Sequence, residues 1–273
     1  MSLVHLNGSL VPAEEARVSV HDRGFLLGDG LFETLRAHSG RPAFLGEHLA
    51  RLRHGCEAMR LPFPEDLPSR VAATLEANRA GDCAVRVTLT RGPGGRGASP
   101  RGAGPPTVLV ALSPIPYEEA LYARGLGAIV SRVPRGPAAV KTTSYAASVL
   151  ARIEADEAGA DEALFQDEAG RLLEATQATL FAVRDGALLT PPLGPILPGV
   201  TRAKLLALAP HAGLRPVEAP LTRDDLLAAD EAMLCASVLE VAPLASLDGK
   251  PLRRGPFAQT LRALYRLQAT SSG

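Results

Sequence analysis

Only three of the chain's 29 basic side chains are lysines: Lys141, Lys204 and Lys250. A reaction that needs a primary amine therefore has three candidates. Lys141 stands in Val140-Lys141-Thr142-Thr143-Ser144-Tyr145, after a Pro/Gly-containing loop and before a helix of small apolar residues. A lysine entering such a setting sheds water, which frees the neutral amine for Schiff-base chemistry. Lys204, on a helix just after a turn, and Lys250, at the hairpin tip Asp248-Gly249-Lys250, are expected to face solvent. The run Leu197-Pro198-Gly199-Val200-Thr201-Arg202 turns on Pro-Gly and opens a helix at Thr201. Backbone amides at a helix start, with a threonine hydroxyl, suit a phosphate dianion. Arg51, in Glu47-His48-Leu49-Ala50-Arg51-Leu52, can add a bidentate guanidinium. Glu174 closes a strand-like stretch, where a carboxylate can keep a pyridine nitrogen protonated and make that ring an electron sink. Arg91-Gly92-Pro93-Gly94-Gly95-Arg96-Gly97 reads as a mobile loop with two guanidinium groups. It lacks the order of a phosphate-binding P-loop and fits a substrate carboxylate better. Each feature also has a plain reading, as a loop lysine, a helix cap, a surface arginine or a strand-end glutamate.

The elements that must position these groups follow from periodicity. Residues 2–7 alternate into Asn7-Gly8, a hairpin signal, and residues 31–37 and 41–45 pair across Ser39-Gly40. Residues 47–61 put Leu49, Leu52, Cys56 and Met59 on one helical face, and this helix carries Arg51. A second helix spans 67–79, and strands at 84–90 and 107–112 flank a Gly/Pro/Arg-rich loop. Residues 114–122 hold two prolines and no apolar period. They are expected to link a smaller N-terminal α/β domain, 1–115, through residues 116–123, to a larger C-terminal domain, 124–273, that carries Lys141. There, strand 126–132 leads into the 133–143 loop, which delivers Lys141 to helix 144–158. Strands at 162–166, 179–183, 187–190, 231–236 and 241–247 and helices at 201–211, 224–229 and 256–268 complete it. The fold class is α+β, with mixed β-sheets and flanking helices in two domains.

Composition removes several classes of function. Hydrophobic residues make up 46% and charged residues 21%, which favours a packed core over disorder. Acidic and basic side chains balance at 29 each, so no basic excess points to nucleic acid. No apolar run reaches the roughly 18 residues of a membrane span, and the first seven residues do not read as a signal segment. Cys56, Cys83 and Cys235 are far apart with no CxxC pair, as expected of reduced, buried thiols in a cytoplasmic protein with no metal site.

Taken together, order and spacing are more specific than any single feature. The chain resembles fold-type IV pyridoxal phosphate enzymes, the class IV aminotransferase family, over nearly its whole length. The resemblance runs through Asp22-Arg23-Gly24, Gly28-Asp29-Gly30-Leu31-Phe32-Glu33-Thr34, the Arg51 helix, Lys141, Gly159-Ala160-Asp161-Glu162-Ala163-Leu164, Glu174-Ala175-Thr176-Gln177-Ala178-Thr179, Leu197 to Arg202, and Ser237-Val238-Leu239-Glu240-Val241-Ala242-Pro243. It implies pyridoxal 5'-phosphate as cofactor, with Lys141 as the Schiff-base lysine and proton shuttle. It implies Glu174 at the pyridine nitrogen, and Arg51, the amides of Val200 and Thr201, and Ser237 and Val238 at the phosphate. Tyr145 is a weaker match for contact with the cofactor's phenolic oxygen, because the tyrosine of branched-chain enzymes sits one residue further along. The resemblance also implies a homodimer and a small amino substrate bearing a carboxylate.

The shared motifs serve both a lyase and an aminotransferase. Aminodeoxychorismate lyase, which releases pyruvate and 4-aminobenzoate in folate biosynthesis, is expected slightly ahead. Its arginine-glycine loop resembles residues 91–97, its aromatic residue and threonine match Phe32 and Thr34, and the 33-residue step from Lys141 to Glu174 suits it. The turn at Leu239 and the Tyr145-Ala146-Ala147-Ser148 run look more like D-amino-acid or branched-chain aminotransferases. Arg96 would hold a substrate carboxylate under the lyase or D-amino-acid reading, and Arg86 under the branched-chain one. A non-catalytic regulator that kept the fold is a remote alternative.

Overall fold

A computed structural model describes residues 2–136 and 140–271. Part of the loop expected at 133–143 thus lies outside the described residues. The described chain falls into two compact units. One takes the chain up to Ile115, the segment Val140–Tyr145 and the chain end from Ala269, and the other takes the rest.

The first unit is built on a six-stranded sheet of β1 (Leu3–Leu6), β2 (Ser9–Pro12), β3 (Gly30–His38), β4 (Arg41–Pro42), β5 (Cys83–Thr90) and β6 (Thr107–Ser113). The strand order is β2-β1-β6-β5-β3-β4. Asn7 and Gly8 both take positive φ, 49° and 100°, the backbone that a two-residue hairpin loop requires. Helices α1 (Arg23–Leu27), α2 (Leu45–Met59) and α3 (Leu67–Ala77) accompany the sheet. Leu49, Leu52 and Cys56 of α2 pack with Leu31, Leu35, Val85 and Val87 in one buried cluster, as their helical spacing predicts.

The second unit holds a ten-stranded sheet. Its strands are β7 (Leu126–Val130), β8 (Glu162–Gln166), β9 (Arg171–Ala175), β10 (Thr179–Arg184), β11 (Ala187–Thr190), β12 (Arg215–Glu218), β13 (Leu221–Thr222), β14 (Glu231–Ala236), β15 (Glu240–Leu247) and β16 (Lys250–Pro251). The main path runs β12-β11-β10-β14-β15-β7-β8-β9-β13, with β16 paired to β15. Parallel pairs at β15–β7, β7–β8 and β11–β12 among antiparallel neighbours make it a mixed sheet. Its helices are α4 (Glu119–Arg124), α5 (Ala146–Glu157), α6 (Val200–Leu208) and α7 (Arg223–Ala228), and α8 (Phe257–Ser271) follows.

Two expectations need correction. The expected linker contains helix α4, which no local apolar period announces. Its Glu119 pairs with Arg262 and Arg266, and its Tyr122 hydroxyl donates to the Leu239 carbonyl at 3.0 Å, so distant residues hold it in place. The second correction concerns Lys141, expected in the C-terminal domain. Its segment belongs to the first unit, because the Lys141 carbonyl accepts from Phe32 N at 3.0 Å and Thr143 N donates to the Gly30 carbonyl at 2.9 Å.

Candidate active site

Strand alternation sorts the first unit's residues onto two faces. Phe32 and Thr34 point to one side of β3, and Arg86, directly opposite Thr34 on β5, joins them. Phe32 is buried, whereas the Arg86 side chain is exposed and its guanidinium lies 3.9 Å from the Phe32 ring centroid. Lys141 is half-buried, with its Nζ 4.4 Å from the same centroid and 6.0 Å from that of Tyr145. The Tyr145 ring meets Phe32 edge-on at 5.3 Å and 74°. The amine thus sits beside two aromatic rings, where cation–π attraction helps to hold it.

Glu33 points the opposite way, toward α2, and is 0% exposed. Arg51 donates to it from Nε (2.8 Å) and Nη2 (2.7 Å), and His48 Nδ1 lies 2.7 Å from its Oε2. Burial by itself would raise the pKa of this carboxyl; the bonds from Arg51 and then His48 overcome it and bring the value down to about 2. An ionised carboxylate only accepts, so His48 donates from Nδ1. Burial chiefly pushes the His48 value down, and the nearby Lys141 charge acts in the same direction.

The arginine-glycine loop, expected to be mobile, is tied down near both ends. Arg91 donates to Asp29 and to the Met59 carbonyl, and buried Arg23 donates to Asp29 and to the carbonyls of Gly97 and Ala98. Arg96 itself is exposed.

In the second unit, Glu174 ends up on β9 with 6% exposure. Its Oε1 accepts from Arg135 Nε (2.9 Å) and Nη2 (2.6 Å), and the Leu197 amide reaches the carboxylate at 3.3 Å. Glu174 therefore meets the start of the expected phosphate turn. Helix α6 begins at Val200 after Gly199, and no side-chain hydrogen bond caps it. The amides of Val200 and Thr201 are thus among the first-turn donors with no intrahelical partner. The Thr201 hydroxyl lies 3.4 Å from that of Ser237 and 3.3 Å from that of buried Tyr265. Val238 is half-buried beside Ser237.

Leu239, expected near the substrate, is 4% exposed and packs in the apolar core, so its side chain presents no open surface. Lys204, expected to face solvent, is half-buried on α6, whereas Lys250 is exposed. Sequence reasoning missed Glu33, His48, Arg135 and Tyr265 as partners of the site. Glu33 and His48 lie within the motif runs of Phe32 and Arg51, and only that adjacency marks them.

The donor set fits pyridoxal phosphate. Lys141 offers an amine for its carbonyl, and Glu174 a buried carboxylate for its ring nitrogen. Within the first unit Arg51 offers donors suited to its phosphate, and within the second the first-turn amides of α6 and the Thr201 and Ser237 hydroxyls do. Among the described residues, no group of three His, Cys, Asp or Glu side chains could hold a metal ion, and no helix is long and apolar enough to cross a membrane.

Comparison with known proteins agrees with this chemistry. The family model for amino-transferase class IV matches residues 30–247. A putative branched-chain-amino-acid aminotransferase of Methanocaldococcus jannaschii is 37% identical, covering 96% of this chain and 93% of the relative. A D-alanine aminotransferase of Bacillus licheniformis is 32% identical, covering 92% and 90%. The solved branched-chain amino acid aminotransferase of T.th., complexed with N-(5'-phosphopyridoxyl)-L-glutamate, superposes with a TM-score of 0.91 at 31% identity. That superposition covers 100% of this chain and 95% of that one. These likenesses favour the aminotransferase alternative over the lyase expected first. The chain belongs to the class IV aminotransferase family, enzymes that work with pyridoxal phosphate.

Proposed function

We propose that the protein is a branched-chain aminotransferase, moving the amino group of a branched-chain amino acid to a 2-oxo acid. The observation that carries this reading is the 37% identity, end to end, with the putative branched-chain enzyme. The exposed Arg86, set on the same sheet face as Phe32 and Thr34, supports it by offering a guanidinium for a carboxylate.

When bound, pyridoxal phosphate supplies a protonated ring that takes up the electron pair left when the substrate's Cα–H bond breaks. Lys141 Nζ would hold the cofactor through an amine–carbonyl linkage. The Nζ amine would take up the substrate's Cα proton and give it back. Glu174 keeps the ring nitrogen protonated. Arg51 in the first unit, and Val200, Thr201, Ser237 and Val238 in the second, would hold the phosphate. Phe32 and Tyr145 set aromatic rings beside the amine.

We also propose a homodimer. Val18, Val20, Phe25, Leu26 and Leu27 are all exposed, Phe25 at 76%, within one short stretch of the first unit. Exposed apolar residues grouped in this way mark association surfaces.

The test supplies 2-oxoglutarate with L-leucine, L-valine or D-alanine, and aminodeoxychorismate alone. Glutamate formed from L-leucine or L-valine supports the proposal, and Lys141→Ala abolishes it. Pyruvate and 4-aminobenzoate from aminodeoxychorismate, with no amino transfer, would restore the lyase reading. Transfer from D-alanine alone would favour the D-amino-acid one.

A further inference from the structure

We infer that Glu33 and His48 are positioning residues for cofactor binding: together they hold the Arg51 guanidinium in the one orientation that presents it to phosphate. This rests on Arg51 being the phosphate-binding arginine. Leu31 and Leu35, two residues either side of Glu33, are buried in the apolar cluster under α2, so strand alternation turns Glu33 into that cluster as well. A carboxylate there needs compensation, and α2 supplies it with His48 and Arg51, three residues apart on one helical face. All three bonds are short, 2.7 to 2.8 Å.

The chosen nitrogens matter. Nε and Nη2 form the side edge of the planar guanidinium, so engaging both fixes the plane as well as the charge. The end edge, made by Nη1 and Nη2, then has a set direction. His48 fixes the carboxylate in turn, because its Nδ1 occupies Oε2, the oxygen that also accepts from Nη2. An arginine that arrives already oriented avoids the loss of side-chain freedom that binding would otherwise impose.

The charge of Glu33 by itself would act in the opposite direction. Glu33 is negative, and a negative group near a phosphate dianion weakens its binding. If charge alone mattered, neutralising Glu33 would tighten the cofactor. If orientation matters, neutralising it loosens the cofactor.

The experiment titrates the cofactor-stripped, full-length protein with pyridoxal phosphate and, separately, with pyridoxal, following absorbance. The ratio of the two dissociation constants isolates the phosphate contribution, and general damage to the fold does not move it selectively. Arg51→Ala should collapse the ratio. Glu33→Gln should lower it about tenfold, or about 1.4 kcal/mol. His48→Phe, which keeps a ring but has no donor, should lower it as well. His48→Asn, whose amide can stand near the Nδ1 position, should keep it. These His48 variants leave the Glu33–Arg51 pair in place, so they decide the matter even if Glu33→Gln fails to fold. A ratio that is unchanged or higher in Glu33→Gln and His48→Phe, while Arg51→Ala collapses it, overturns the inference and leaves the Arg51 assignment standing. A ratio untouched by Arg51→Ala overturns both.

Discussion

Acid should weaken this fold in part through a single carboxylate, Glu33, and replacing it with glutamine should remove that sensitivity. The ordinary value of 4.5 for a glutamate falls to about 2 here, and the group is 0% exposed, so solvent screening does not discount the effect. At about 1.4 kcal/mol per pH unit, the folded state gains roughly 3 kcal/mol from keeping Glu33 ionised. The sign follows from the depressed folded value. The gain is fully present above pH 4.5 and is lost as pH falls through about 2. By pH 3.5 roughly 1.4 kcal/mol of it should already be gone. His48 also sits below its ordinary value, mainly through burial. The assay is urea unfolding of the cofactor-stripped protein and of Glu33→Gln at pH 7 and pH 3.5. The wild-type advantage over the variant should shrink by roughly 1.4 kcal/mol between the two. An advantage that stays constant across that range would refute the reasoning, because Glu33 would then titrate alike in the folded and unfolded chains.

Two other outcomes are expected. Glu174→Gln removes the carboxylate that Arg135 and the Leu197 amide hold in place. It should slow substrate Cα–H cleavage on the order of 100-fold in single-turnover absorbance measurements, and an undiminished rate would remove its assigned role. Sedimentation at micromolar concentration should give twice the chain mass, and Phe25→Ser with Leu26→Ser should give single chains. A wild-type protein that sediments as one chain counts against the dimer.

The aminotransferase assignment leaves the early chemistry as the motifs implied it and moves the expected product. The roles expected of Lys141 and Glu174 would serve either reaction. One of the three features that leaned toward the lyase was the 91–97 loop, and the structure ties that loop down through Arg23 and Asp29 in a way its glycine-rich composition did not announce.

Local residue chemistry determined much of this protein. Asn7-Gly8 specified a hairpin, the spacing of Leu49, Leu52 and Cys56 specified the helix bearing Arg51, and Pro198-Gly199 specified the start of α6. Those signals are legible because turn chemistry and helical period act over a few residues. Lys141 stood out because lysine is rare in this chain. Tertiary structure alone decided the rest. Glu33, His48 and Arg51 meet across 18 positions, Arg135 finds Glu174 across 39, and Tyr265 reaches Thr201 across 64. It also set the Lys141 segment against β3, although the chain there had already entered the second unit. No local pattern encodes such meetings, since a buried ion pair or hydrogen bond leaves each partner looking, in sequence, like any surface residue of its type. The resemblance could name the lysine expected to carry the chemistry. What holds the arginine expected to face the phosphate depended on which face of β3 was buried and which helix covered it.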